Sequence, residues 1–185
     1  MCKFDTKTEE AFYNLMTLKG IKCEKIQDKK SPAPDFLCDL NGYKAVFELK
    51  EFAQSGTTLK LGKNFIAQSI TLTGAAARFM DDSKKKFLNP LFKNLPSALV
   101  ITNLRPLLRW ETIIDQVEKA LRDNFANFPQ IGNVILTGYN KPSNSIIALH
   151  IFENRNSVRS INRDFFLNFK CKYYDYLFHH PKITT

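Results

Sequence analysis

Two carboxylates and one lysine in this 185-residue chain fall at positions where they could act together on one substrate. Asn41-Gly42 stands between two runs of alternating apolar and polar residues, and this dipeptide in such a setting is the strongest short-range signal for a β-hairpin. A two-residue loop there places Asp35 directly opposite Glu48 on the neighbouring strand. Lys50 lies two residues beyond Glu48 on the same face. The predicted hairpin therefore gathers two acids and an amine on one surface.

The two faces of this hairpin differ in polarity. One face carries only apolar or aromatic side chains: Phe36, Cys38, Leu40, Tyr43, Ala45, Phe47 and Leu49. The opposite face carries the charged ones: Asp35, Leu37, Asp39, Lys44, Val46, Glu48 and Lys50. We expect the apolar face to pack on the core, and Asp39 and Lys44 to form a favourable cross-strand pair near the turn.

Asp35 and Glu48 would repel each other across the hairpin. Directly opposed side chains have Cβ atoms about 4.5–5.5 Å apart, and two carboxylates at that separation repel by roughly 3–4 kcal/mol at an effective dielectric of about 20. A divalent cation would turn that repulsion into a ligand set, and Mg²⁺, with Mn²⁺ as a substitute, suits one or two carboxylates completed by water and phosphate. Lys50 could then hold a water or offset charge on a phosphate. The alternative is structural: Glu48 pairs with Lys50 or Lys44 and no ion binds.

The residues around this pair resemble a known signature. Pro34-Asp35 followed by Glu48-Leu49-Lys50 is similar to the PD-(D/E)XK motif of the restriction-endonuclease-like superfamily. The order of the predicted elements over residues 8–103 is similar too, and the spacing within PDFLCDLNGYKAVFELK resembles that of Holliday-junction resolvases in the same superfamily. The resemblance implies that Asp35 and Glu48 bind Mg²⁺, that Lys50 assists the attacking water, and that the Leu49 carbonyl is a further ligand.

The first helix often supplies another carboxylate in that superfamily, and two residues compete for this role. At 100° per residue, Glu9 lies about 60° from Phe12 on the predicted buried stripe, whereas Glu10 lies about 160° from it. We therefore select Glu9 and expect Glu10 to point to solvent. The alternative is that an acid in a first helical turn serves only to favour the helix dipole.

The charge balance indicates a polyanionic partner. Lys and Arg number 27 against 18 Asp and Glu, a formal net charge of +9, which attracts nucleic acid or an acidic membrane. Lys60 and Lys63, in a Gly/Ser/Thr-rich segment after the second hairpin strand, are the first candidates for contacts with nucleic acid. Arg78 and Lys85 share a face of the following helix and are further candidates, although Asp81/Lys85 and Asp82/Lys86 are also ordinary i,i+4 pairs.

Other patterns set the chain's class and compartment. The apolar runs are too short to span a bilayer, and no secretory signal opens the sequence. The four cysteines show no zinc spacing and suit a reducing compartment. No phosphate-binding GxxxxGK[ST] loop is present. We therefore expect a cytoplasmic protein with no membrane partner.

The predicted elements define a mixed α/β protein. Helices are predicted over residues 8–19, 65–87 and about 110–121, and strands over residues 21–26, 35–40, 43–50, 97–103, 133–139 and 145–153, with a last strand in the aromatic segment 166–178. We expect one domain over residues 1–185, with a restriction-endonuclease-like core in which helices flank a central mixed sheet of four or more strands.

These features together predict a metal-dependent nuclease that hydrolyses phosphodiester bonds. DNA is preferred to RNA as the substrate because the resembled superfamily is mostly DNA-directed, and a homodimer would let two sites cut both strands. One alternative is a catalytically inactive module of the same fold that binds nucleic acid or a partner protein. A third hypothesis is a structural protein that binds an acidic partner through its lysines alone.

Overall fold

The computed structural model describes residues 3–27, 31–52, 72–104, 114, 122, 127–154, 156–169 and 171–174. Within these ranges the chain forms two α-helices, seven strands and a short 3-10 helix, in the following order: α1 (Lys7–Leu18), β1 (Lys22–Lys25), β2 (Phe36–Leu40), β3 (Tyr43–Phe52), α2 (Leu72–Phe87), β4 (Ser97–Asn103), β5 (Asn133–Asn140), β6 (Ser145–Glu153), the 3-10 helix (Arg163–Phe166) and β7 (Cys171–Tyr174).

All seven strands lie in one sheet, in the same order as in the chain. Strands β1, β2 and β3 form an antiparallel meander, whereas β3, β4 and β5 run parallel. Strand β6 is antiparallel to β5, and β7 is parallel to β6. The expected mixed α/β architecture is thus confirmed, with helices packed on a central sheet that combines both kinds of pairing.

The β2–β3 hairpin has the predicted register, with Phe36 opposite Phe47 and Leu40 opposite Tyr43. Asn41 and Gly42 both have positive φ angles, 52° and 87°. A tight turn of this kind needs a positive φ at both central residues, which Asn and Gly tolerate better than other residue types. The local turn chemistry therefore fixes which side chains of the two strands share a face.

Helix α1 covers the apolar face of the hairpin. The Thr6 side chain caps the helix by accepting from the Glu9 N–H, and the chain leaves the helix at Gly20, whose φ is 74°. Phe12 packs between two strands, its ring centroid lying 5.3 Å from that of Phe36 and 5.3 Å from that of Phe47. This face is the core side, as predicted.

The opposite face of the sheet is also buried at Val46 and Glu48. Val46 on β3 packs with Met80 and Phe87 of α2 and with Leu99 and Ile101 of β4. Because α2 lies over part of this face, Asp35, Glu48 and Lys50 are buried or half-buried, whereas Lys44 near the turn is exposed. The first three side chains lie together between the sheet and the C-terminal end of α2.

The end of α2 is held in place by a buried arginine. The Arg159 guanidinium donates to three carbonyls that follow one another around the helix end: Phe87 at 3.0 Å, Phe92 at 3.0 Å and Leu95 at 2.8 Å. Burial lowers the pKa of Arg159 to about 10. Gly132 lies so close to this segment that a Cβ there would be 2.0 Å from the Arg159 carbonyl oxygen. These contacts fix the helix end that reaches the hairpin's charged face.

The remaining predicted elements compare well with the structure where it describes them. The strands over residues 97–103 and 145–153 have the expected bounds, β5 is one residue longer than expected, and a last strand forms as β7. The long helix is confirmed over Leu72–Phe87, while residues 65–71 and most of the helix predicted around residues 110–121 lie outside the described residues. Among the described helices, none has the length and apolar character needed to cross a membrane.

Candidate functional site

Asp35 lies immediately before β2, following the buried residue Pro34. Its N–H donates to the Phe47 carbonyl at 3.0 Å, and its carboxylate Oδ2 accepts from the Leu49 N–H at 2.7 Å. The ladder therefore departs from strict register beyond Phe36, where sequence reasoning placed Asp35 squarely opposite Glu48. The carboxylate instead leans onto the backbone of β3 beside Glu48, and this backbone contact holds it there.

Glu48 is the buried acid of the site, with a side chain that is 0% exposed. Neither carboxylate oxygen accepts a well-directed hydrogen bond from the described residues. Burial, reinforced by the negative charge of Asp35, raises the pKa of Glu48 to about 7, although Lys86 and Lys50 act in the opposite direction. A carboxyl group whose pKa is displaced this far by burial and a like charge is a recognised mark of a functional site.

Two lysines approach the carboxylates. The Lys50 Nζ lies 3.0 Å from Glu48 Oε1, and the Lys86 Nζ, from the last turn of α2, lies 2.6 Å from the same oxygen and 3.6 Å from Asp35 Oδ1. Burial opposes the charge on Lys86, but Glu48 and Asp35 together outweigh it and raise the pKa of this lysine. The structure thus brings the three predicted residues together and adds a fourth.

Lys86 is the site residue that sequence reasoning missed. The i,i+4 spacing predicted that Lys86 pairs with Asp82 on the helix surface. In the structure the Lys86 ammonium turns inward to the hairpin, and it forms no ion pair with Asp82 in the described part of the chain. A sequence signal was available, because Lys86 follows the apolar Phe79 by seven residues and so lies about 20° from it around the helix.

The donor set fits a magnesium ion. Asp35 and Glu48 offer carboxylate oxygens, the ligands that Mg²⁺ prefers, and this ion is commonly held by one or two carboxylates with water completing the shell. The backbone N–H and C=O of one residue in a strand point to the same side, so the Leu49 carbonyl faces the Asp35 side as well. Within the described residues, no group of three or more His, Cys, Asp or Glu side chains gathers at one point. Neither oxygen of the buried Glu48 carboxylate has a hydrogen-bond partner among the described residues, so this acid can still take a ligand.

Glu9 belongs to a separate ion network. Its Oε2 accepts from the Lys25 Nζ at 2.6 Å and from the Asp5 N–H at 2.7 Å. Helix α1 covers the sheet face opposite to that of Glu48, and no contact in the described chain joins Glu9 to the Asp35–Glu48 pair. Glu9 is buried, as expected, but Glu10 is half-buried and accepts from the Asn144 side chain at 3.1 Å instead of facing solvent.

The predicted nucleic-acid contacts are only partly described. Arg78 and Lys85 are both exposed on α2 and share a face, as expected from their spacing. This face is turned away from the sheet, since Met80 and Phe87 occupy the buried side of the helix. Lys60 and Lys63 lie outside the described residues.

Asn89 connects the two parts of the chain that carry the site. Its side-chain amide donates to the Ser31 hydroxyl at 3.0 Å and to the Pro32 carbonyl at 2.9 Å, and its Oδ1 accepts from the Leu91 N–H at 3.0 Å. These bonds join the segment before Pro34-Asp35 to the end of α2. Asn89 therefore sets the distance between Asp35 and Lys86 through the backbone.

Comparisons with known proteins supply no relative: no family model, no curated protein and no solved structure matches the chain.

Proposed function

We propose that the protein is a Mg²⁺-dependent nuclease that hydrolyses phosphodiester bonds, with DNA rather than RNA as its substrate. The observation that carries this proposal is the fully buried Glu48 carboxylate beside Asp35, with Lys50 3.0 Å away. Such an arrangement is costly for the fold, because burial and like charge both disfavour ionisation. A cation bound between the acids would remove that cost.

Each residue of the site has a definite role in this proposal. Asp35 and Glu48 would hold Mg²⁺ with the Leu49 carbonyl as a further ligand, and the ion when bound would acidify a water molecule and neutralise charge on the phosphate. Lys50 orients the nucleophilic water and donates a hydrogen bond to it, while Glu48 fixes the position of the Lys50 ammonium. The Leu49 N–H holds the Asp35 carboxylate in its orientation. Glu9, which lies in the separate network with Lys25, takes no direct part in the proposed site.

Cleavage assays on two substitutions test this proposal. Asp35→Asn and Lys50→Ala should each abolish cleavage of supercoiled plasmid DNA in Mg²⁺, because they remove a ligand and a water-positioning amine. DNA binding should stay largely intact, because each changes the net charge of +9 by only one unit and leaves the proposed DNA contacts in place. Asp81→Asn, which removes an exposed carboxylate from α2, is the matched control and should cleave at the wild-type rate. A Lys50→Ala protein that cuts as fast as the wild type would refute the assignment.

A second function has one observation in its favour. Two lysines already balance the two carboxylates, since Lys50 and Lys86 both contact Glu48 Oε1. A catalytically inactive module of this fold, binding nucleic acid or a partner protein, would have no use for a metal. Titration of Mg²⁺ or Mn²⁺ during thermal unfolding separates the two functions, because only the nuclease should gain stability from the ion.

The partner and the compartment are part of the same proposal. The net charge of +9 would bring DNA to the site, with Lys60, Lys63, Arg78 and Lys85 as the proposed contacts. Affinity for duplex DNA should then fall with salt at a log–log slope of about −0.9 per phosphate contacted. We further propose a single nuclease domain in a cytoplasmic protein, acting as a homodimer when both strands are cut. Binding that is insensitive to salt would exclude a lysine-based contact with DNA.

A further inference from the structure

Lys86 occupies the position that a metal ion would need. Its ammonium lies 2.6 Å from Glu48 Oε1 and 3.6 Å from Asp35 Oδ1, so it already bridges the two proposed ligands. Mg²⁺ requires its oxygen ligands at about 2.0–2.1 Å. An ion held by both carboxylates would therefore compete with this ammonium for the same oxygens, and the two positive charges would repel each other.

We propose that Lys86 is a tethered cation that neutralises the empty site and turns to the scissile phosphate once the carboxylates ligate Mg²⁺. This inference rests on the proposed nuclease function and deepens it. Lys86 would hold the carboxylates together before the substrate arrives, and would bind a non-bridging phosphate oxygen afterwards. Its second position makes it a substrate-contacting residue as well as a substitute for the ion.

The surroundings of Lys86 permit this movement. Its side chain is 28% exposed, so the ammonium has a route out of the cluster, whereas the Glu48 side chain is 0% exposed and cannot follow it. A lysine is a compact charge on a flexible four-carbon stem with no fixed hydrogen-bond geometry. The backbone at the base of that stem is held firmly, because the Arg159 guanidinium donates to the carbonyl of the neighbouring Phe87 at 3.0 Å.

The Glu48 carboxylate remains unsatisfied although Lys86 lies beside it. The Lys86 ammonium lies 2.6 Å from Glu48 Oε1 and that of Lys50 lies 3.0 Å from the same oxygen, yet both oxygens of this buried carboxylate lack a hydrogen-bond partner among the described residues. A purely structural lysine would be expected to satisfy the acid that it accompanies. The unsatisfied carboxylate indicates a site in which a metal ion is still to be accommodated.

The test measures metal affinity and cleavage on the same variants. Lys86→Met keeps an apolar stem of similar length and removes the charge. We expect it to bind Mn²⁺ about tenfold more tightly than the wild type without DNA, because a competing cation is gone, and to cleave DNA at least about tenfold more slowly, because a phosphate contact is gone. Titration followed by electron paramagnetic resonance of Mn²⁺ gives the affinity, and circular dichroism checks the fold.

Two control variants and one substitute keep the result interpretable. Lys84→Met removes an exposed lysine from the same helical turn and should change neither quantity. Lys86→Arg keeps the charge and should leave the Mn²⁺ affinity within about threefold of the wild type. If Lys86→Met is poorly folded, the Lys86→Gln variant takes its place with the same expectations.

The outcomes separate this inference from the function on which it rests. A wild type that cleaves DNA, together with a Lys86→Met protein that binds Mn²⁺ no more tightly, would overturn the inference and leave the nuclease assignment in place. Mn²⁺ binding by neither protein, with no cleavage, would overturn both. Tighter Mn²⁺ binding with slower cleavage supports both.

Discussion

Replacing Glu48 with glutamine should make the protein more stable at alkaline pH. The folded protein raises the pKa of Glu48 from 4.5 to about 7, so the native state holds this proton more tightly than the unfolded chain. The stability that the protonated form contributes is therefore complete below pH 4.5 and is lost as the pH rises through 7. Glutamine resembles the protonated acid in shape and cannot ionise, so the variant escapes that loss.

The magnitude follows from the same shift. This increase in pKa corresponds to a gain in the free energy of unfolding of about 3 kcal/mol for Glu48→Gln at pH 8. At pH 5 the gain is less than about 1 kcal/mol, because most of the wild-type carboxyl is still protonated in the native state. Burial makes the conversion reasonable, because the Glu48 side chain is 0% exposed and is little screened by solvent. The pH dependence of the gain, more than its absolute size, identifies ionisation as the cause.

Urea denaturation followed by far-ultraviolet circular dichroism, in EDTA, measures the free energy of unfolding at both pH values. Asp81→Asn removes an exposed carboxylate from α2 and serves as the control, with the same small effect at pH 5 and pH 8. The reasoning would be refuted by a Glu48→Gln variant that is less stable than the wild type at pH 8. It would equally be refuted by a gain that does not depend on pH, since that would reflect packing.

Three other perturbations test the site and its support. Mg²⁺ at ten times the dissociation constant that it has at pH 8 should raise the free energy of unfolding by about 1.4 kcal/mol at that pH. The same concentration should give a smaller gain at pH 6, because the ligand must be ionised, and scanning fluorimetry should show no such gain in Asp35→Asn. Gly132→Ala should lower the free energy of unfolding by more than about 2 kcal/mol in urea denaturation, because the added Cβ would lie 2.0 Å from the Arg159 carbonyl oxygen. A urea midpoint equal to that of the wild type would contradict this close approach. Asn89→Ala should cost about 1–3 kcal/mol, because it removes the three hydrogen bonds to Ser31, Pro32 and the Leu91 N–H, and it should slow cleavage. Unchanged cleavage would mean that this link does not position the site.

The hairpin could be predicted from sequence because its determinants are local. The turn at Asn41-Gly42 fixes the register, and the strict alternation of side chains then fixes the faces, so Phe36 and Phe47 were correctly paired. The burial of the other face depends on α2, which follows β3 only after a long intervening segment. Leu37 and Val46 were the available signal, since two apolar residues on an otherwise charged face indicate a partly covered surface, and both pack in the α2 cluster.

The site was only partly accessible to the same reasoning. Proximity of Asp35, Glu48 and Lys50 follows from one turn and one register. Lys86 comes from a different element, and its position depends on the angle at which α2 crosses the sheet, which periodicity does not determine. Periodicity correctly placed Glu9 at a buried position, but it could not show that Lys25 on β1 would be its partner.

The two buried lysine–carboxylate groups of the described chain show why one is a structural network and the other a candidate site. Lys25, whose side chain is 8% exposed, lies 2.6 Å from both Glu9 and Asp5, and the Glu9 carboxylate accepts a further backbone hydrogen bond. That network satisfies its members and gains nothing from a ligand. The Glu48 carboxylate has two ammonium groups within 3.0 Å of Oε1, no hydrogen-bond partner at either oxygen among the described residues, and a pKa raised to about 7. A glutamine at this position would avoid the cost of ionising a buried acid, and a cation held with the neighbouring Asp35 would offset the same cost, which is the role that we propose for Glu48.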